Sequence, residues 1–238
     1  MAISRIEELD FQETPMGELT LRRRREPMLD VDVYEVKLGE EYLMSSLFTV
    51  AEIALSDLGL AAATGEKLRV VNGGLGLGYT AVAALADSRV ASLEVIDALP
   101  TVIDWHNRGL LPASADLKGD SRTTLTHADF FAVMRAAPTE PYDVILLDVD
   151  HSPRHQLDPS HADLYTVDGL RRVRAHLTDG GIFALWSDDP ADDEFMESLG
   201  HVFENPTAHV VDFDNALTGG VSSNTVYVGT RGANPRQQ

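Results

Sequence analysis

Val70-Val71-Asn72-Gly73-Gly74-Leu75-Gly76-Leu77-Gly78 decides how this chain is read. A short apolar run ends in an amide, and glycines then recur at alternate positions. A helix-forming, alanine-rich segment, 79–86, follows at once. The order is strand, tight turn, helix. Glycines at such a turn let backbone N–H groups approach a ligand with no Cβ in the way, a nucleotide-cofactor signal. Three aspartates come later, each just after an apolar run: Asp97, Asp129 and Asp148.

Working outward, strands and helices alternate from Lys67 onward. The pattern predicts strands over 68–71, 91–96, 123–126, 144–147 and 182–186, with helices near 79–86, 100–108, 130–136 and 162–177. Thr178-Asp179-Gly180-Gly181 reads as a helix stop and turn, and Asp189-Pro190 as a helix start. Two more strands, 208–213 and 225–229, have no helix between them and predict a closing antiparallel hairpin. Upstream, 14–37 reads as a small β element. Residues 40–60 read as a helix, with Leu43, Leu47, Val50, Ala54 and Leu58 at helical spacing. The expected fold is α/β and Rossmann-like, with a seven-stranded, mostly parallel sheet covered by helices on both faces. The expected organisation is an N-terminal β element and helix (1–64), a ligand-binding catalytic unit (65–230) and a polar, flexible tail (231–238).

Composition narrows the partners. The 238 residues carry 19 basic against 38 acidic side chains, a net charge of −19, and no cysteine. That argues against nucleic acid and anionic membranes, which need basic patches. It suits a small, cationic acceptor, or serves solubility alone. The basic run Arg22 to Arg25 reads as a solvated strand edge. The first ten residues lack the apolar core of a targeting signal, so a cytoplasmic location is expected. The N-terminal strands offer an edge that a second copy could extend, giving a homodimer.

In an open α/β sheet, ligands bind outside the carboxyl ends of the strands. Asp97, about twenty residues past the glycines, stands where a carboxylate accepts from a ribose diol. Asp129, beside Phe130, suits the exocyclic amine of an adenine whose ring packs on an apolar face. Each aspartate is equally a helix cap. Gly76 to Ala81 also fits the G-x-G-x-x-A of nicotinamide-binding folds, but that frame gives Asn72 to Gly74 and Asp129 no role.

Val70 to Gly78 resembles the first motif of class I S-adenosylmethionine-dependent methyltransferases. Tyr142 to Asp148 resembles their fourth strand, and Thr178 to Ile182 the turn into their fifth. Within that fold the spacing is most similar to the spermidine synthase branch: a glycine turn, Val95-Ile96-Asp97, Asp120-Ser121-Arg122-Thr123, Asp129, then Tyr142 to Asp148. The resemblance covers residues 14–229. It implies S-adenosylmethionine or its decarboxylated form as cofactor, held by Asn72, Gly73, Gly74, Gly76, Gly78, Asp97, Asp129, Phe130 and Asp148.

The departures from that branch are specific. Its second carboxylate after the fourth strand is His151 here, and the Asp inside its glycine motif is Leu75. Its ribose Glu is Val95, and its tyrosine–histidine–glutamate cluster is replaced by Leu43-Met44-Ser45. Asp148-Val149-Asp150-His151-Ser152 instead resembles the D-x-D-H-S of several small-molecule methyltransferases, with Asp148, Asp150 and His151 as the catalytic edge. The resemblance therefore implies methyl transfer to a small molecule. Aminopropyl transfer to a polyamine is the first alternative, and a non-catalytic nucleoside-binding or interaction protein the second. Trp186 to Asp189 should border the acceptor pocket. His151, His155 and His161 share one acidic loop; it reads as polar, and no metal site is assigned there.

Overall fold

The computed structural model describes residues 6–14 and 17–233. Two sheets organise them. The first is an antiparallel meander of β1 (Ile6–Thr14), β2 (Gly17–Glu26), β3 (Val31–Leu38) and β4 (Glu41–Ser45), in that spatial order. The α1 helix (Val50–Ala62) leads into the second sheet.

There β5 (Leu68–Gly73), α2 (Tyr79–Ala86), β6 (Val90–Asp97), α3 (Pro100–Arg108), α4 (Ser114–Gly119), β7 (Thr123–His127), α5 (Phe130–Arg135) and β8 (Tyr142–Leu147) alternate. A 3-10 turn over Pro159–Tyr165 precedes α6 (Val167–Ala175), β9 (Leu177–Ser187), α7 (Asp193–Gly200), β10 (Glu204–Asn215) and β11 (Gly220–Thr230). The sheet order is β10-β11-β9-β8-β5-β6-β7. Strands β5 to β9 run parallel, while β11 is antiparallel to β9 and to β10. This is the mostly parallel seven-stranded sheet with a closing hairpin. Strand β5 pairs with β6 on one side and β8 on the other, so the topological switch point lies at its carboxyl end.

The parallel strands are buried on both faces, which is why they read as unbroken apolar runs. Val70, Val95, Leu146 and Ala184 pack under α1–α4 with Leu55, Ala81, Val102 and Trp105. Val71, Ile96, Ile145 and Phe183 pack under α5–α7 with Phe131, Leu170, Val173 and Leu199. Leu19, Leu21 and Val36 of the small sheet join the first cluster. Trp105 Nε1 donates to Asp10 Oδ2 at 2.7 Å, fastening β1 to α3. No helix among the described residues is long and apolar enough to cross a membrane.

Five expectations are corrected. Residues 41–45 form a strand, not helix. Their backbone pairs with β3, and tertiary pairing overrides the chance helical spacing of Leu43 and Leu47. Strand β1 lacked a signal because most of its residues are exposed and a register shift between Glu8 and Asp10 breaks the alternation. The run Arg22–Arg25 lies on an inner strand and is matched by acids: Glu35 accepts from Arg22 Nε and Arg24 Nε at 2.7 and 2.8 Å, and Arg23 and Arg25 pair with Glu7 and with Asp30 and Asp32. Helix α7 starts at Asp193, capped by Asp192, because the Asp189 carboxylate is taken by Ser152 and His155. Finally, the tail does not fray at Arg231: its backbone N–H donates to Gly181 O at 2.7 Å and its guanidinium pairs with Asp179 at 2.9 Å. Residues 234–238 lie outside the described residues.

Candidate functional site

The glycine turn is built from contacts made by neighbouring strand ends. Gly73 O accepts from Asp148 N at 2.8 Å, and Gly74 N donates to Ile96 O at 2.9 Å. Gly74 has φ +94°, and a Cβ there would stand 1.9 Å from Asp148 O. The end of β8 thus occupies the space a side chain would need. Asn72 is fully buried; its Nδ2 donates to Gly74 O at 2.7 Å, while its Oδ1 has no hydrogen-bond partner. It supports the turn from beneath. A Cβ at Gly76 would meet only Met44, with Sδ at 3.1 Å. The small sheet therefore lays a flexible thioether against the turn.

Asp97 does not present a bare carboxylate. Its Oδ2 accepts from Leu75 N at 2.9 Å and Gly76 N at 3.4 Å, and its Oδ1 from Leu99 N at 2.8 Å. Burial raises its pKa and these three amides oppose the rise. Its first role is to brace the turn. Asp129 caps α5, with Oδ1 accepting from Phe131 N at 2.8 Å; the residue is exposed at the carboxyl end of β7. Phe130 is buried, and its ring packs where a Gly73 Cβ would be. It underlies the turn and offers no open face to a ligand, against expectation.

Asp148 is the centre of the site. Thr80, in the first turn of α2, donates through Oγ1 to Asp148 Oδ2 at 2.6 Å. Burial pushes the Asp148 carboxyl up to about 6. Glu52, in the first turn of α1, is pushed up to about 8 by burial and then by the negative charges of Asp148 and Asp188. Asp188 follows β9, held by Asn224 Nδ2 donating to its Oδ1 at 2.7 Å. Glu52 of α1 thus feels the carboxylates that follow β8 and β9 at the carboxyl edge of the sheet. Glu52 was missed because residues 40–60 read as one helix whose polar positions pointed nowhere in particular. Only the docking of α1 over the sheet aims it at Asp148. Trp186, at the end of β9, is partly buried and its Nε1 has no partner.

Asp150 is corrected outright. It is 1% exposed, and its carboxylate accepts from Leu157 N at 2.8 Å and Tyr165 OH at 2.7 Å, with His161 Nδ1 at 2.8 Å. It anchors the loop between β8 and α6 and does not face the site. The three loop histidines diverge. His161 stacks on Phe131 at 3.7 Å, His155 meets Asp189 at 2.7 Å, and His151 faces Glu41 of β4 at 3.9 Å. His151 is partly exposed, and its carbonyl accepts from Asp188 N at 2.7 Å. A cavity of about 430 Å³ beyond this loop is lined by Ser152, Arg154, Asp189 and Asp192 to Glu194. Within it Arg154 is paired with Asp192 and Glu194.

The raised pair sets a pH dependence. Both carboxyls bind protons more tightly folded than unfolded, where carboxyls titrate near 4. Their contribution to stability is full below that value and is lost as pH rises through about 6 and about 8. The melting temperature should therefore fall between about pH 4 and pH 8, and E52Q should flatten that fall. An equally steep fall in E52Q would show that Glu52 is not the raised group.

No protein-family model matches the chain, and no curated protein sequence matches it. Solved structures do. A spermidine synthase from Thermotoga maritima superposes with a TM-score of 0.73 at 16% identity, over 97% of this chain and 75% of that one. The fold is that of the spermidine synthases. A spermidine synthase in complex with the transition state analogue AdoDATO gives 0.72 at 16% identity, over 97% of this chain and 74% of its own. A probable spermidine synthase from Corynebacterium glutamicum gives 0.64 at 15%, over 97% and 81%.

Proposed function

We propose that this protein transfers an aminopropyl group from decarboxylated S-adenosylmethionine to a small amine. The observation that carries the reading is Glu52, which burial and the charges of Asp148 and Asp188 keep from ionising. The charges acting on Glu52 are those of Asp148 and Asp188, and both are negative. A donor keeping its α-carboxylate would bring a further negative charge against them; a decarboxylated donor and an ammonium acceptor bring positive ones. This reverses the order that the motifs suggest for the two transfer reactions. Leu75 is 4% exposed and faces the core, so in this reading Glu52 of α1 supplies the charge that the motif lacks.

The residues present fit such a donor. The Gly76 face is closed only by the movable end of Met44, and Asp129 is exposed where an adenine amine would lie. When bound, a sulfonium nucleoside supplies an activated carbon and a neutral thioether leaving group. Asp148 then has one task, to take the proton that the attacking ammonium must lose. A carboxyl near 6 accepts a proton more readily than one near 4, and Thr80 holds it in place. Glu52, mostly protonated at neutral pH, ionises when an ammonium lies beside it and helps to hold that charge. Positioning supplies the rest. With putrescine and decarboxylated S-adenosylmethionine, methylthioadenosine and a lengthened polyamine should form. Methylated amine from S-adenosylmethionine, with no methylthioadenosine from the decarboxylated donor, would overturn the proposal.

A further inference from the structure

His106 lies in α3 and is completely buried. Its Nε2 stands 2.9 Å from Gly76 O. A carbonyl only accepts, so Nε2 carries the proton. Nδ1 is then left to accept from Ser114 Oγ at 3.4 Å, and Ser114 is itself 2% exposed and accepts from Leu111 N at 3.3 Å. The ring also packs on Gly78: a Cβ there would stand 2.9 Å from His106 Cε1, and Gly78 has φ +92°. The backbone of the turn is thus held by side chains from both directions. Asp97 takes the N–H groups of Leu75 and Gly76, and His106 donates to the carbonyl of Gly76. The two clamps belong to one strut, because Asp97 also binds the N–H of Leu99, the residue that opens α3.

We infer that His106 is a positioning residue that fixes the Leu75–Leu77 turn, and through it the nucleoside end of the donor site. The second half rests on the function proposed above. Either the neutral Nε2–H tautomer or the imidazolium would present that N–H; burying a charge disfavours the imidazolium, so the neutral Nε2–H ring is the one assigned. Burial pushes its pKa down, and the Gly76 carbonyl offsets this only in part. Nothing in the sequence marked the residue: it sits on an amphipathic helix beside Trp105 with no motif around it.

The test compares H106L, which removes the donor, with H106Q, whose side-chain amide can reach the same carbonyl. Methylthioadenosine binding should weaken about tenfold in H106L, equivalent to roughly 1.4 kcal/mol, and stay near wild type in H106Q. Amide exchange at Leu75, Gly76 and Leu77 should speed up in H106L and not in H106Q. Equal affinity and equal exchange in the two variants would overturn the inference. If wild-type protein binds no nucleoside, the proposed function fails, while the exchange comparison still decides the role of His106 in the turn. Nitrogen NMR of the native protein decides it without any variant. A neutral Nε2–H ring persisting at about pH 6 supports the assignment, and an Nδ1–H ring or a freely titrating one overturns it.

Discussion

Asp148→Asn is expected to lower turnover by about 10²- to 10⁴-fold, the range spanned by loss of a positioned base. The amide can still accept from Thr80 Oγ1, so the side chain should keep its place. What it loses is the proton affinity that burial creates. Removing the charge also relieves Glu52, whose pKa should move back toward that of an ordinary carboxyl. The variant should therefore melt higher than wild type near pH 8 while turning over far more slowly. Steady-state rates with the decarboxylated donor, together with melting curves across pH, separate the two effects. Retention of full turnover would move the base elsewhere, and the partly exposed His151 is then the residue to examine.

Gly74→Ala should cost more than about 4 kcal/mol and leave little folded protein. The added Cβ meets the backbone carbonyl of Asp148 at 1.9 Å, in a conformation with φ +94°. Neither can yield without breaking the link between the end of β8 and the turn, since Asp148 N also donates to Gly73 O. Gly76→Ala is the control. Its φ of +47° lies in the left-handed region, where alanine is strained by only about 1–2 kcal/mol, and its Cβ meets the flexible end of Met44. Gly76→Ala should stay folded. Circular dichroism and thermal melts of the two variants test this, and a Gly74→Ala protein melting like wild type would refute the strand-end contact. The two glycines look alike in the motif. One is required by the fold, and the other borders the site.

The aspartates show where the reading of the chain ran out. Asp97, Asp129 and Asp148 are legible as strand-end acids, with Asp150 in the loop after the fourth strand, and the strand ends lie close to where the apolar runs stop. Their employment was not legible. Asp97 spends its oxygens on three backbone amides, and Asp150 on a tyrosine, a histidine and an amide within its own loop. A strand's period of two places Asn72 and Asp148 on the same face of the sheet as Val70 and Leu146. The loop after β8 has no period, so nothing in it foretells that Asp150 turns inward and His151 outward.

The sequence by itself determined the alternation of strands and helices, the glycine turn and the closing hairpin. These follow from local propensity and from burial on both sheet faces, which the residue pattern records directly. Only the tertiary structure decided which acids meet. Glu52 joins Asp148 because α1 docks over the sheet, and Met44 reaches Gly76 because β4 pairs with β3. Those meetings depend on helix docking and strand pairing between segments far apart in the chain, and their energies come from contacts that no local pattern encodes.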